Sequence, residues 1–189
     1  MAVLPDCADR VSVSGGRTLR LAGALAVLVV AGLLAASAQA TSTETNLQTL
    51  NHQVLAALNS FRVAHGLVPL RESPALDRSA LRHSLEMGRV GYFAHPSANG
   101  TAFWRRIERY YSDTDYSYWS VGENLLWAPP NVSAAHAMHE WITSPPHLRN
   151  LMAPQWRQIG ISAVRVVDAP GVYGGHRVTI ITTDFGVRR

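Results

Sequence analysis

His95, Glu123 and His147 are the residues of this chain best suited to chemistry. His95 stands in Phe93-Ala94-His95-Pro96-Ser97 and Glu123 in Val121-Gly122-Glu123-Asn124-Leu125. His147 closes the run Trp141-Ile142-Thr143-Ser144-Pro145-Pro146-His147. Two imidazole nitrogens, a carboxylate oxygen and a water satisfy a four-coordinate divalent ion with one open position. The same groups would serve a metal-assisted hydrolase, with Glu123 as general base on the bound water. Spacing alone does not bring them together, because the intervals are far longer than those of a local metal motif. No helical His-Glu-x-x-His motif occurs, and no Gly-x-Ser-x-Gly elbow follows residue 40. Ser97 and Ser144 each lie near a histidine, but no third residue is placed to orient a Ser–His pair.

The elements that would carry these residues are legible in outline. Val121 to Trp127 alternates as a strand does, so Val121, Glu123 and Leu125 point to one side. An ionised carboxylate between Val and Leu on a covered face needs a cation, a metal or several donors. Alternatively that face is open to solvent, or Glu123 accepts backbone bonds in a turn. Asn124, on the opposite face, is expected to brace a neighbouring loop.

Thr41-Ser42-Thr43-Glu44 reads as a capping box for a first helix through Leu47, Leu50, Val54, Leu58 and Phe61, which Gly66 stops. Ser73-Pro74 opens a second helix that ends at Gly91, with His83 beside its buried side as a packed or capping residue. His95 follows that helix in a loop. Thr101 caps a third helix through Phe103, Trp104 and Ile107, and the aromatic stretch from Tyr110 to Trp119 has no period. Its rings either pack over the sheet or form a contact surface. Ser133 caps a fourth helix, which Ser144-Pro145-Pro146 breaks, placing His147 in the exit loop. His136 and His139 on that helix are expected at the surface. Gln158 to Val167 and Arg177 to Phe185, rich in Val, Ile and Thr, read as an antiparallel hairpin. Helices early and strands late predict an α+β domain, a small antiparallel sheet covered by helices on both faces.

The chain of 189 residues holds one domain behind a leader. Its 17 Lys and Arg residues are all Arg, and the net charge of +4 is modest. They are scattered apart from Arg105-Arg106-Ile107-Glu108-Arg109, which reads as the solvent face of a helix, so no nucleic-acid partner is expected. Residues 1–40 have an export signal's form: Arg10, Arg17 and Arg20, an apolar run from Leu21 to Ala36, and a cleavage site at Ala38-Gln39-Ala40. The competing reading is a retained N-terminal anchor, the one route by which a membrane would be a partner. Cys7, the single cysteine, lies in this leader, so residues 41–189 form the domain without a disulfide. The expected location is secreted, extracellular or in the periplasmic envelope.

The segments around His95, Gly122-Glu123-Asn124-Leu125 and Trp141 through His147-Leu148-Arg149-Asn150-Leu151 resemble, in order and spacing, the CAP superfamily. That family includes cysteine-rich secretory proteins, insect venom antigens and plant pathogenesis-related proteins. This chain is most similar to its bacterial branch, which lacks disulfides. The likeness runs from about Leu47 to Phe185 and takes in Gln158-Ile159-Gly160-Ile161 and Thr183-Asp184-Phe185-Gly186. The resemblance implies a three-layer α-β-α sandwich whose cavity is lined by two His and two Glu and often holds a divalent cation, zinc or magnesium. His95, Glu123 and His147 match three of those positions. The second Glu of the eukaryotic pattern falls on Ser144. Glu140, one turn earlier on the same side, either supplies the missing carboxylate or is a solvated helix residue. The resemblance also implies a binding module for a small apolar ligand, a lipid or a protein partner, rather than an enzyme.

Overall fold

The Val-, Ile- and Thr-rich segments late in the chain form the long antiparallel hairpin expected of them. β4 (Gln158–Ala169) and β5 (His176–Arg188) pair along most of their length and are joined through a 3-10 turn at Gly171–Tyr173. The structure, a computed structural model, describes residues 44–189. The expected leader, its cleavage site and Cys7 lie outside the described residues. Among the described residues no helix is long and apolar enough to cross a membrane.

β3 (Trp119–Ala128) adds antiparallel to β5, and β1 (Glu44–Asn46) adds antiparallel to β4, giving the order β1-β4-β5-β3. β2 (Arg71–Glu72) also pairs with β4, in parallel, and is the one departure from an antiparallel sheet. Between β1 and β2 two side chains stand in for a strand. Ile161 N donates to Asp77 Oδ1 at 2.9 Å and Ala163 N to Asn51 Oδ1 at 2.7 Å. These bonds satisfy buried backbone donors that no ladder reaches.

Helices cover both faces. α1 (Gln48–Ala64), α4 (Ala134–Thr143) and α5 (Pro145–Met152) enclose a core of Leu50, Val54, Leu58, Trp141, Trp156 and Phe185. α2 (Pro74–Val90) and α3 (Phe103–Glu108) cover the other face over Met87, Leu125 and Ile180, with Leu76, Ile107 and Val121 beside them. α2 lies directly on the sheet because Gly160 has no side chain; a Cβ there would stand 2.1 Å from the Leu76 carbonyl carbon. α2 ends at Gly91 in the left-handed region, φ +84°, as a glycine C-cap does.

Four local expectations give way to tertiary context, among them the Thr101 cap, since Ala102 precedes α3 and no side chain caps it; the aromatic stretch divides between its two alternatives. The capping-box glutamate, Glu44, lies in β1 opposite Val166 and pairs with Arg89, and α1 begins with no side-chain cap. Backbone pairing along the β4 edge outweighs one capping bond. Ser73 precedes α2 as expected, but its hydroxyl caps nothing. Within the aromatic stretch Tyr111 and Trp119 pack inward, the Trp119 Nε1–H donating to Tyr111 O at 2.8 Å, while Tyr116 stays 42% exposed. Finally, the chain after α4 does not enter a loop. Pro145 and Pro146 open α5, where their missing N–H groups cost nothing.

Candidate functional site

β3 is an outer strand of the sheet, and its Glu123 carbonyl accepts from Asn150 Nδ2 at 3.0 Å. Trp141 Nε1 caps the Leu125 carbonyl at 3.3 Å. Side chains of α4 and α5 thus close an edge that would otherwise template aggregation. Asn124 braces the helix α5 rather than a loop, its Nδ2 donating to His147 O at 3.2 Å and its Oδ1 accepting from Asn150 at 2.8 Å. Glu123 faces the α2–α3 side with Val121 and Leu125, and Asn124 faces the α5 side. Histidines from the two helical layers therefore converge beside one strand.

Glu123 is fully buried, which removes the open-face alternative. One oxygen accepts from His95 Nδ1 at 2.7 Å, and the other forms an ion pair with Arg106 Nη2. Burial alone would raise the Glu123 pKa; Arg106, then His83 and His95, outweigh it and pull it down to about 2. The carboxylate is therefore ionised and engaged at both oxygens.

Arg106 is the residue that sequence reasoning placed wrongly. It is buried rather than on a solvent face, and its Nη1 also donates to His95 O at 2.9 Å. The signal was present: Phe103, Arg106 and Ile107 fall at i, i+3 and i+4, so they share the face that α3 turns to the core. His83 proves buried, and its Nε2–H donates to Ala94 O at 2.9 Å, holding the residue before His95. Burial pushes the His83 pKa down, against the pull of the Glu123 charge.

Asp184 is the second residue that was missed. It lies directly opposite Glu123 in the β3–β5 register and is fully buried. Neither of its oxygens has a hydrogen bond of normal length among the described residues. Burial, then the Glu123 charge, raises its pKa well above the carboxylate range, with Arg106 and Ser79 opposing. One guanidinium cannot neutralise two adjacent carboxylates, so Glu123 is the ionised member and Asp184 the protonated one.

His147 lies in the first turn of α5 rather than in an exit loop, completely buried, with Nδ1 2.7 Å from Ser144 Oγ. Burial, then the nearby His95, lowers its pKa to about 4. His95 and His147 share one feature. Each ring is held through Nδ1, and each Nε2 is buried with no hydrogen-bond partner among the described residues.

The expected three-ligand set is not assembled: no group of three His, Cys, Asp or Glu side chains among the described residues is disposed to hold one ion. Glu123 is committed to Arg106 and His95 instead, because a buried carboxylate is stabilised most by the nearest full charge. Glu140 Oε1 sits 3.8 Å from His136 Nε2 on α4, one turn from it. Two orphaned imidazole nitrogens still fit a borderline-soft cation, and the carboxylate behind His95 is the usual partner of a metal-binding imidazole.

The family model of the cysteine-rich secretory proteins, CAP, matches residues 55–176. The chain belongs to the CAP family. It is 27% identical over 124 residues to the uncharacterized protein YkwD of Bacillus subtilis (strain 168), a match covering 66% of this chain and 46% of that protein. The chain thus spans less than half of that relative's length. Among solved structures, an extracellular protein containing a SCP domain from Bacillus anthracis str. Ames superposes with TM-score 0.56 at 24% identity, over 75% of this chain and 41% of that one. An outer surface protein of Borrelia burgdorferi superposes with TM-score 0.63 at 17% identity, over 79% of this chain and all of the other. These likenesses bear out the α+β CAP fold, whose layers are those described above.

Proposed function

We propose that this CAP-domain chain is exported and works outside the cytoplasm as a binding module, with His95 and His147 as the side chains that meet its ligand. The observation that carries this reading is the pair of buried Nε2 atoms without partners, each on a ring fixed through its other nitrogen. Buried polar atoms left unpaired are costly, and a ligand shared by both rings would satisfy them. A divalent cation is one such ligand. His95 and His147 would hold it, Glu123 would orient His95, and imidazole nitrogens favour zinc over magnesium. When bound, the ion would supply a positive centre for an anionic or carbonyl group of a small apolar ligand, a lipid or a protein partner. The extracellular and outer-surface proteins that share the fold support export.

Binding is favoured over hydrolysis because Glu123, the base a metal-assisted hydrolase would use, has both oxygens engaged. The test is zinc titration of the purified protein, followed by thermal unfolding and by peptide and ester hydrolysis with and without chelator. Zinc at about one hundred times its Kd stabilises the native state by about 2.7 kcal/mol and raises Tm by several degrees. His95→Ala and His147→Ala should abolish that rise. Chelator-sensitive turnover lost in Glu123→Gln would replace the binding module by an enzyme.

A further inference from the structure

The two imidazoles are held by partners of different kinds. A carboxylate only accepts, so Glu123 fixes a proton on His95 Nδ1, and the neutral ring then carries its lone pair on Nε2. The hydroxyl of Ser144 both donates and accepts, and it lies 2.7 Å from His147 Nδ1. Ser144 occupies the N-cap of α5, yet its side chain caps no backbone N–H. The two residues that follow are Pro145 and Pro146, so two of the amides that open a helix are missing here. The hydroxyl is thereby left for the imidazole.

We propose that Ser144 is a positioning residue that lets His147 change tautomer with its occupant. When the hydroxyl donates to Nδ1, the ring proton sits on Nε2. His147 then offers a donor where His95 offers an acceptor, which fits a neutral group that does both, such as an alcohol or a carboxylic acid. When the hydroxyl turns to accept from Nδ1–H, both Nε2 atoms present lone pairs, which fits a cation. In that exchange one proton leaves Nε2 for solvent and one from solvent arrives on Nδ1, so the net charge is unchanged and only an O–H bond rotates. A carboxylate at position 144 would remove the choice, as Glu123 removes it at His95. The cation half of this inference rests on the zinc reading given above; the tautomer half does not.

The experiment is long-range proton–nitrogen NMR of the full chain labelled at histidine nitrogen, with and without zinc, together with zinc affinity. In the wild type His147 should carry its proton on Nε2 without zinc and on Nδ1 with zinc. Ser144→Asp should hold it on Nδ1 in both states. Ser144→Ala should lose at least tenfold in zinc affinity, the usual cost of removing a supporting partner, and Ser144→Thr should keep the wild-type value. The proposal is overturned if Ser144→Asp leaves the zinc-free tautomer as in the wild type, or if Ser144→Ala binds zinc as tightly. Failure of the wild type to bind zinc would refute the cation reading alone, since the zinc-free spectra of Ser144→Asp still decide the role of Ser144.

Discussion

Replacing Asp184 by Asn should stabilise this protein at neutral pH, although it removes a buried charged-type residue from the middle of the sheet. Asp184 is fully buried opposite the ionised Glu123, and burial followed by that charge raises its pKa well above the usual carboxylate value. Between the unfolded pKa of about 3.9 and its own, the native state binds this proton more tightly than the unfolded chain does. Stability from this group is therefore fully present below about pH 4 and declines as pH rises, by up to about 1.4 kcal/mol per pH unit. Asn has the same shape, never ionises and donates an N–H towards Glu123. The variant should match the wild type near pH 3.5 and exceed it by a margin that grows with pH, at no more than about 1.4 kcal/mol per pH unit. Urea unfolding from pH 3.5 to 7 reads the effect as a midpoint difference that widens with pH at constant slope m. A difference between variant and wild type that does not change with pH would show that the Asp184 pKa is the same in the folded and unfolded states, and the proton assignment would be wrong.

Three further outcomes follow from the same geometry. Arg106→Met leaves Glu123 as an uncompensated buried charge and should cost about 3–5 kcal/mol, read by urea unfolding; the restoring change is Glu123→Gln in the same chain. The neutral His147, with its pKa at about 4, binds fewer protons folded than unfolded between there and the usual 6.5. Its contribution to stability is thus present above about pH 6.5 and lost as pH falls towards 4, and His147→Asn should flatten that part of a Tm–pH profile. Gly160→Ala drives a methyl onto the Leu76 backbone at 2.1 Å and should destabilise by several kcal/mol, or prevent folding, as measured by circular dichroism of the purified variant.

Reading from residues reached the helices, the β4–β5 hairpin and the strand carrying Glu123, because each has a period of its own. It also chose His95, Glu123 and His147, since a carboxylate between Val121 and Leu125 demands an explanation wherever that face is covered. It did not reach α5, because two prolines after a helix end one element and open the next with equal ease. Nor did it reach β2, whose two residues owe their extended state to β4 alone. Glu44 left its expected capping role for the same reason: a short segment takes whichever backbone partner the tertiary structure presents.

Local pattern along the chain therefore determined which segments are helical, which are extended, and which side chains demand a partner. Only the assembled fold decided who that partner is. The fold set Arg106 against Glu123, placed Asp184 across the strand from it, and gave His147 the hydroxyl of Ser144. The physical reason is that periodicity is a property of neighbours in sequence, whereas the cost of a buried charge is settled by whatever lies within a few ångströms in space.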